Sequence, residues 1–344
     1  MRTTLKQVAN DTGLSIATVS RALRRKRRRY SPNEEKIYAS ARRLGYPFIG
    51  KNKNSEKLTI ALVSELFEGE FYANLLHGFY EASKNTSSEV VIINLAKYSE
   101  NPIEYIISLS KEYSGICLFL PSLDNNDYVR LKEGVGQYPI VTLTPIKNPK
   151  IDTITFDSYA GGYMIAKHFE ELGYKNFGFI SGPKRPIKGI FKQPPIDAIF
   201  RRNGFLDHIS ENPSLQLVWT FDGDFSSSTG RVAFEDFSKT KLKDVAIFGC
   251  NDETCYGFIK GATENGYKVP EDFIIAGYDN LSFSEIITPE LTSIYTDFIL
   301  LGSSAIKMIE NLVENENDSV GTISMVPVKI LKRNSTNIHS LTNF

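Results

Sequence analysis

TLKQVANDTGLSIATVSRAL, residues 4–23, is the stretch on which the reading of this chain turns. Thr4 can cap a first helix that carries Leu5, Val8 and Ala9 on one face. Gly13 ends that helix at a position that tolerates positive φ. Ser15 can cap a second helix ending near Leu23, with Val19, Ala22 and Leu23 turned inward. Two short helices joined by a Gly-containing turn suit a helix-turn-helix, whose second helix presents its N-terminal residues to base edges in the major groove. Ile16 and Ala17 are then exposed at the front of that helix, where a thymine methyl gives an apolar side chain a partner. Ser15, Thr18 and Ser20 can donate to phosphates, and Arg21 can reach a guanine through two hydrogen bonds. A small three-helix core with no partner is the alternative reading of the same pattern.

Working outward, a third helix has clear local signals. Ser31 is its cap, Pro32 its first residue and Glu34 the other half of a capping box, followed by Ile37, Ala41 and Leu44 at helical spacing. Residues 47–57, PFIGKNKNSEK, are polar and read as a linker. Charge separates this end from the rest. Residues 1–57 hold fifteen Lys and Arg and four acids, a charge of +11. The whole chain balances 40 cations against 40 acids, so the remainder carries −11. Such asymmetry points to a basic module on an acidic body, and it moves the helix-turn-helix reading toward nucleic acid. RRKRRRY, residues 24–30, is a solvated loop after the second helix, suited to phosphate contact; a charged loop without a partner is its plain alternative.

Beyond residue 57 short apolar runs alternate with amphipathic stretches. Ten runs read as strands: 58–64, 90–95, 115–121, 139–144, 153–157, 177–182, 215–221, 245–250, 273–279 and 326–332. Most are apolar throughout, as in strands covered by helices on both faces. Helical patterns between them include 73–83, 160–172, 198–209, 255–265 and 298–314. The alternation predicts an α/β core of two doubly wound parallel sheets, with ligands bound beyond the C-terminal strand ends.

Several classes are excluded. No apolar run approaches the ~18–20 residues that span a membrane. The N-terminus has no apolar signal core, so the cytoplasm is the expected compartment. Cys117, Cys250 and Cys255 make no disulfide framework, and the four histidines lie near no cysteine at zinc spacing; neither a metal nor a cofactor is expected. His77 and His168 lie in amphipathic helical patterns and read as surface or packing residues. No nucleophile elbow, phosphate-binding loop or dinucleotide fingerprint is present, which counts against an enzyme.

The headpiece resembles that of the LacI/GalR family, whose pattern runs T-L-x-D-V-A-x-x-A-G-V-S-x-x-T-V-S-R-x-L. Gln7, Thr12 and Leu14 replace the usual Asp, Ala and Val. The family's two specificity readers fall on Ile16 and Ala17. The likeness continues to about residue 333. Glu70–Ala73 resembles N-P-F-F-A, Asp157–Gly162 resembles D-N-x-x-G-G, Gly204-Phe205 matches R-x-x-G-F, Asn251-Asp252 matches N-D, Gly277–Asn280 matches G-F-D-D and Pro289–Ser293 matches P-x-L-T-T. Two departures stand out. The family's Pro-Asn-x-x-A-x-x-L hinge helix is replaced by a shorter segment without Ala-x-x-Leu, in which Gly50 and the Asn residues disfavour a helix; a minor-groove wedge formed by Phe48 or Ile49 is the less favoured alternative. Residues 184–195, KRPIKGIFKQPP, form an insert beside the expected effector-binding arginine.

The resemblance implies the following. Residues 1–46 form an all-α DNA-binding headpiece, 47–57 a linker or hinge, 58–333 a periplasmic-binding-protein-like core and 334–344 a tail. The N-subdomain takes about 58–157 and 294–320, the C-subdomain about 158–293 and 321–333, with three crossings between them. Thr4, Ser15, Ile16, Ala17, Thr18, Ser20, Arg21, Arg24, Arg25, Arg28 and Arg29 face DNA. Phe71, Tyr72, Asp157, Arg201, Phe225, Asn251, Asp252 and Asp279 face a small effector, expected to be a sugar or sugar derivative. Single residues have local alternatives: Asp252 as a helix cap, Asp157 in an Asx turn, Phe225 in the core. The expected protein is a dimeric regulator, most often a repressor in this family, on a near-palindromic operator. A cytoplasmic small-molecule-binding protein or an α/β enzyme without a DNA role is the alternative.

Overall fold

The computed structural model describes residues 3–24, 31–44, 46, 57–65, 68–95, 100–147, 149–187, 191–315 and 321–337. The expectations for Arg25, Arg28 and Arg29 and for a hinge in residues 47–56 lie outside them. The chain divides into two compact units, Met1–Leu58 and Thr59–Phe344.

The first unit holds helices α1 (Leu5–Thr12), α2 (Ile16–Arg24) and α3 (Pro32–Arg43). Each begins on a hydrogen-bonded cap. Thr4 N–H donates to Gln7 Oε1 at 2.7 Å, Thr18 N–H to Ser15 Oγ at 3.1 Å and Ser31 N–H to Glu34 Oε2 at 2.8 Å. Gln7 thus does at the third helical position what an acid does elsewhere. Gly13 turns the chain at φ +69°, in the left-handed region. The turn lets Val8 and Ala9 of α1 meet Val19 and Ala22 of α2 and Ile37 and Ala41 of α3 in one small core.

The second unit contains two six-stranded sheets. The first half of its chain runs β1 (Thr59–Ser64), α4 (Glu70–Lys84), β2 (Glu89–Asn94), α5 (Pro102–Leu109), β3 (Gly115–Phe119), α6 (Asn125–Val135), β4 (Ile140–Thr142) and β5 (Asp152–Phe156). Next come α7 (Ser158–Glu171), β6 (Asn176–Ser181), α8 (Ile196–Glu211), β7 (Gln216–Asp222), α9 (Ser227–Thr240), β8 (Val245–Gly249), α10 (Asp252–Glu264) and β9 (Ile274–Asp279). The last part runs β10 (Thr292–Tyr295), α11 (Phe298–Asn315), β11 (Ile323–Val326) and β12 (Lys329–Leu331). Sheet orders are β11-β5-β4-β3-β1-β2 and β12-β10-β9-β8-β6-β7. All pairs are parallel except β10 with β12. Central strands such as β1, β4, β5, β8 and β9 are buried along nearly their whole length, as strands covered by helices on both faces are.

Three expectations are corrected. The stretch read as one strand, 326–332, is two elements on different sheets. Pro327 has no N–H for a ladder, so β11 stops at Val326 and the chain crosses before β12. Residues 323–326 therefore belong to the first sheet, not to the C-subdomain, and β10 to the second, so 294 falls inside a strand of the C-subdomain. The segment 334–344 is not a tail from its start. Ser335 and Thr336 are buried: Ser335 Oγ donates to Ile275 O at 2.6 Å, and Thr336 Oγ1 lies 2.9 Å from His168 Nε2.

Helices α7 and α8 touch through glycine. A Cβ on Gly162 would lie 1.9 Å from Arg201 O, and one on Gly204 would lie 2.0 Å from Tyr159 O. The close approach positions Arg201. Gly162→Ala forces the helices apart, an overpacking cost of about 1–3 kcal/mol. For a unit of this size that lowers the melting temperature by roughly 2–12 °C. A thermal melt unchanged within a degree would sink the close-contact account.

Candidate functional site

In the first unit, the face of α2 away from the core is open. Val19 and Ala22 are buried; Ser15, Ile16, Ala17, Thr18 and Arg21 are exposed and Ser20 is half-buried. Ile16 leaves 48% of its surface in water. The Arg21 guanidinium makes no hydrogen bond or ion pair among the described residues. Ser15 and Thr18 are tied to each other, their hydroxyls 2.8 Å apart, so Ser15 is first the cap of α2. Thr4 is exposed, its hydroxyl donating to Gln7 Oε1 at 3.1 Å. Arg24 ends α2. Behind this face, Asp11 of α1 accepts from Arg43 Nη2 and from Ser40 Oγ of α3.

In the second unit, a cleft of about 320 Å³ collects residues that follow the C-terminal ends of strands in both sheets. This is where the reversal of strand order opens a crevice. Phe71, Tyr72, Arg201, Phe225, Asn251 and Asp279 all line it. Phe71 packs edge-on against Phe298 at 5.2 Å and lies 5.6 Å from the Tyr72 ring. Arg201 is 4% exposed. Its Nη1 donates to Cys250 O at 2.7 Å, its Nη2 to Asp197 Oδ2 at 3.2 Å, and its Cζ lies 3.8 Å above the Tyr278 ring. Asp279 Oδ1 is 3.4 Å from the same Nη2, an ion pair without hydrogen-bond geometry. Asp279 is held at φ +104°, a conformation non-glycine residues rarely adopt, and Arg333 secures the turn through Asn280 Oδ1 and Leu291 O. Burial works against the Arg201 charge, but Asp279 and Asp197 hold it firmly protonated. Burial pushes the Asp279 carboxyl up, more than Arg201 pulls it down.

Two of the expected residues do not reach the cleft. Asp157 caps α7, accepting from Ala160 N–H at 2.9 Å. Asp252 has no exposed surface. It braces the start of α10 against the β9–β10 connection, accepting from Ser293 Oγ at 2.6 Å, Leu281 N–H at 2.8 Å and Ser284 Oγ at 3.0 Å. Asn251 does both jobs. It lines the cleft while its side chain caps α10 on Thr254 N–H and donates to Phe225 O at 2.9 Å.

Burial pushes the Asp252 carboxyl up to about 7, against the downward pull of those hydrogen bonds. A raised folded-state pKa means the folded core holds the extra proton between about pH 4 and the folded value. The group's contribution is therefore largest at the acid end of that window and is lost as pH rises through it. Asp252→Asn has no proton to take up, so the stability difference, wild type minus variant, should grow as pH falls from 7 to 4. A pH-independent difference in denaturant midpoints would contradict this.

Other lining residues carried no motif. The insert supplies Ile187 and Phe191, which exchange backbone hydrogen bonds at 2.9 and 2.8 Å, and Gln193, Pro194 and Pro195. Phe191 meets Phe225 edge-on at 6.2 Å. Asp197 had a signal, since it lies four residues before Arg201 on one helix face. Glu253 follows the N-D pair and had none. Two contacts join the halves near the cleft: Lys192 Nζ to Asp127 Oδ2 at 2.7 Å, and Glu70, which accepts from Ser282 N–H at 2.6 Å and its hydroxyl at 2.9 Å. Among the described residues no group of His, Cys, Asp or Glu gathers to hold a metal, and no helix is long and apolar enough to cross a membrane.

Residues 166–336 match the periplasmic binding protein-like domain family. The HTH-type transcriptional repressor PurR of Mannheimia succiniciproducens is 26% identical over 336 residues, 96% of this chain and 98% of that protein. A Lac repressor dimer bound to operator and the anti-inducer ONPF is 21% identical and aligns over 98% of this chain and 99% of that one at a TM-score of 0.69. The transcriptional regulator CelR in complex with cellobiose is 20% identical, covers 97% of this chain and 100% of its own, and gives a TM-score of 0.68. At these identities the structural likeness shows a shared fold.

Proposed function

We propose that the chain is a member of the LacI/GalR family of transcriptional regulators and acts as an effector-responsive repressor. Two copies bind a near-palindromic operator, each laying α2 in a major groove, and a small molecule in the core cleft changes the affinity. The observation that carries this is the joining, in one chain, of an α2 face with exposed Ile16, Ala17, Thr18 and Arg21 to a core with a cleft lined by polar and aromatic side chains. The +11 charge of residues 1–57 supports phosphate contact, and the −11 remainder keeps the core off DNA. The effector of the reading is a sugar or sugar derivative, its C–H faces on the rings of Phe71 and Phe225 and its polar groups on Arg201, Asn251 and Asp279. The protein acts in the cytoplasm, where its DNA is, and catalyses no reaction. Closure of the cleft shifts a population between states that hold the headpieces at different spacings.

A gel-shift titration against genomic fragments tests the reading. A saturable, sequence-specific band is expected, weakened by salt. No saturable band would overturn it. Replacing Arg25, Arg28 and Arg29 together by Gln should reduce the slope of log affinity against log salt by about 0.9 for each phosphate that these side chains neutralise. Discrimination between operator and random DNA should change little, because phosphate contacts carry little sequence choice.

A further inference from the structure

The cleft's charge is out of balance. Its described lining includes five acidic side chains, Glu68, Asp197, Asp224, Glu253 and Asp279, and one cation, Arg201. That cation is already engaged by Cys250 O, Asp197, Asp279 and the Tyr278 ring. Asp279 is 6% exposed, and its Oδ1, facing Arg201 at 3.4 Å, makes no hydrogen bond. Glu253 is half-buried and has neither a hydrogen bond nor an ion pair among the described residues. Asp224 accepts from Ser226, through its N–H at 2.9 Å and its hydroxyl at 2.6 Å, and from the Thr229 side chain, and pairs with no cation among the described residues.

The surroundings feel this excess. Ionisation of the Tyr72 hydroxyl is pushed up, first by burial and then by the charges of Glu65, Asp197 and Glu253. Glu253 is pushed up by burial and then by Glu70. The remaining wall is aromatic, with Phe71, Tyr72, Phe119, Phe191 and Phe225. Ring faces carry negative potential, so aromatics and surplus carboxylates favour the same kind of guest, one with a positive charge on an apolar frame.

We propose that the effector of this cleft is an organic ammonium, a ring-shaped body seated among Phe71, Tyr72, Phe191 and Phe225 whose protonated amine is drawn to Asp279 and Glu253. This rests on the regulator reading and narrows its effector to an amine-bearing class. A neutral sugar satisfies the carboxylates' lone pairs but leaves their mutual repulsion in place. A phosphorylated or carboxylated compound adds to it and is rejected. An amino sugar and an aryl amine share the chemistry, and matched pairs separate them.

The test measures binding to the full-length protein by calorimetry and thermal shift. D-glucosamine is compared with D-glucose, tyramine with 4-ethylphenol, and glucose 6-phosphate serves as the anion. In at least one pair the amine should bind about tenfold more tightly than its neutral partner or better, a difference of about 1.4 kcal/mol. The pair that shows the preference tells whether the body is a sugar or an aromatic ring. Glu253→Gln should cut that preference severalfold; Asp224→Asn, a change at a more open carboxylate, should do so as well if the first variant misfolds. Neutral partners that bind as tightly as the amines, binding of the phosphate ester, or no binding by either amine overturns the proposal. D-glucose binding that releases operator leaves the regulator reading standing while the amine class falls. Amine binding that leaves operator occupancy unchanged upholds the cation site and counts against the regulator reading.

Discussion

Arg201→Ala should cost the core about 3–5 kcal/mol, the largest effect expected of any single substitution in the cleft. The reason is what it leaves behind. Asp279 is nearly fully buried and faces no other cation within ion-pair distance among the described residues, and Cys250 O loses its donor. Asp197 is less affected because it is 31% exposed and can be hydrated. The same substitution should abolish stabilisation by any cleft ligand, since the guanidinium orders the wall on which the ligand rests. Urea denaturation gives the first quantity and a thermal-shift titration the second. A double variant, Arg201→Met with Asp279→Asn, should recover much of the stability without recovering ligand response, because no buried charge is then unpaired. An Arg201→Ala core within about 1 kcal/mol of wild type would show that the charge network is not what holds this end of α8.

Arg21→Ala should weaken specific DNA binding by about 1–3 kcal/mol, roughly 5- to 150-fold, while leaving the headpiece folded. Arg21 is exposed on α2, one turn past Ala17 and two residues from the buried Val19 that anchors the helix. Removing it breaks no hydrogen bond or ion pair among the described residues. A change confined to specific sites marks a base contact, whereas an equal loss on operator and random DNA marks a phosphate contact. An unchanged operator band would remove Arg21 from the reading face.

What could be read from the residues followed physical distinctness. Strands β1, β3, β8 and β9 were visible because both of their faces are covered, which leaves unbroken apolar runs. Strands β10 and β11, TSIY and ISMV, are four residues each and partly polar. Their neighbours in the sheet, not their own composition, make them strands. The headpiece was legible to its caps because capping is local. The cleft was half legible. Arg201 and Asp279 came from the motif pattern, but Asp252 did not separate from Asn251 at the level of sequence. Both fit the start of a helix after a strand. Only the partners of Asp252, Ser284 and Ser293, 32 and 41 residues further along, turn its carboxylate into the core. Phe191 and Lys192 belong to an insert that matches no pattern, and a contact such as Lys192 with Asp127, 65 residues apart in the chain, has no local trace.

The three crossings of the backbone also set an order of events during synthesis. Each sheet takes an edge strand from the last part of the chain, β11 for the first and β12 for the second, and α11 packs on α4 from the far end of the sequence. Neither half of the core can be finished until residues 323–331 have left the ribosome. The headpiece is complete by residue 46, some 280 residues earlier. At a translation rate of about 5–20 residues per second, a nascent chain carries a folded DNA-reading module for tens of seconds before it owns a cleft. A message cut short near its 3′ end would thus yield a headpiece on an unfinished core, without the cleft through which a ligand changes its grip.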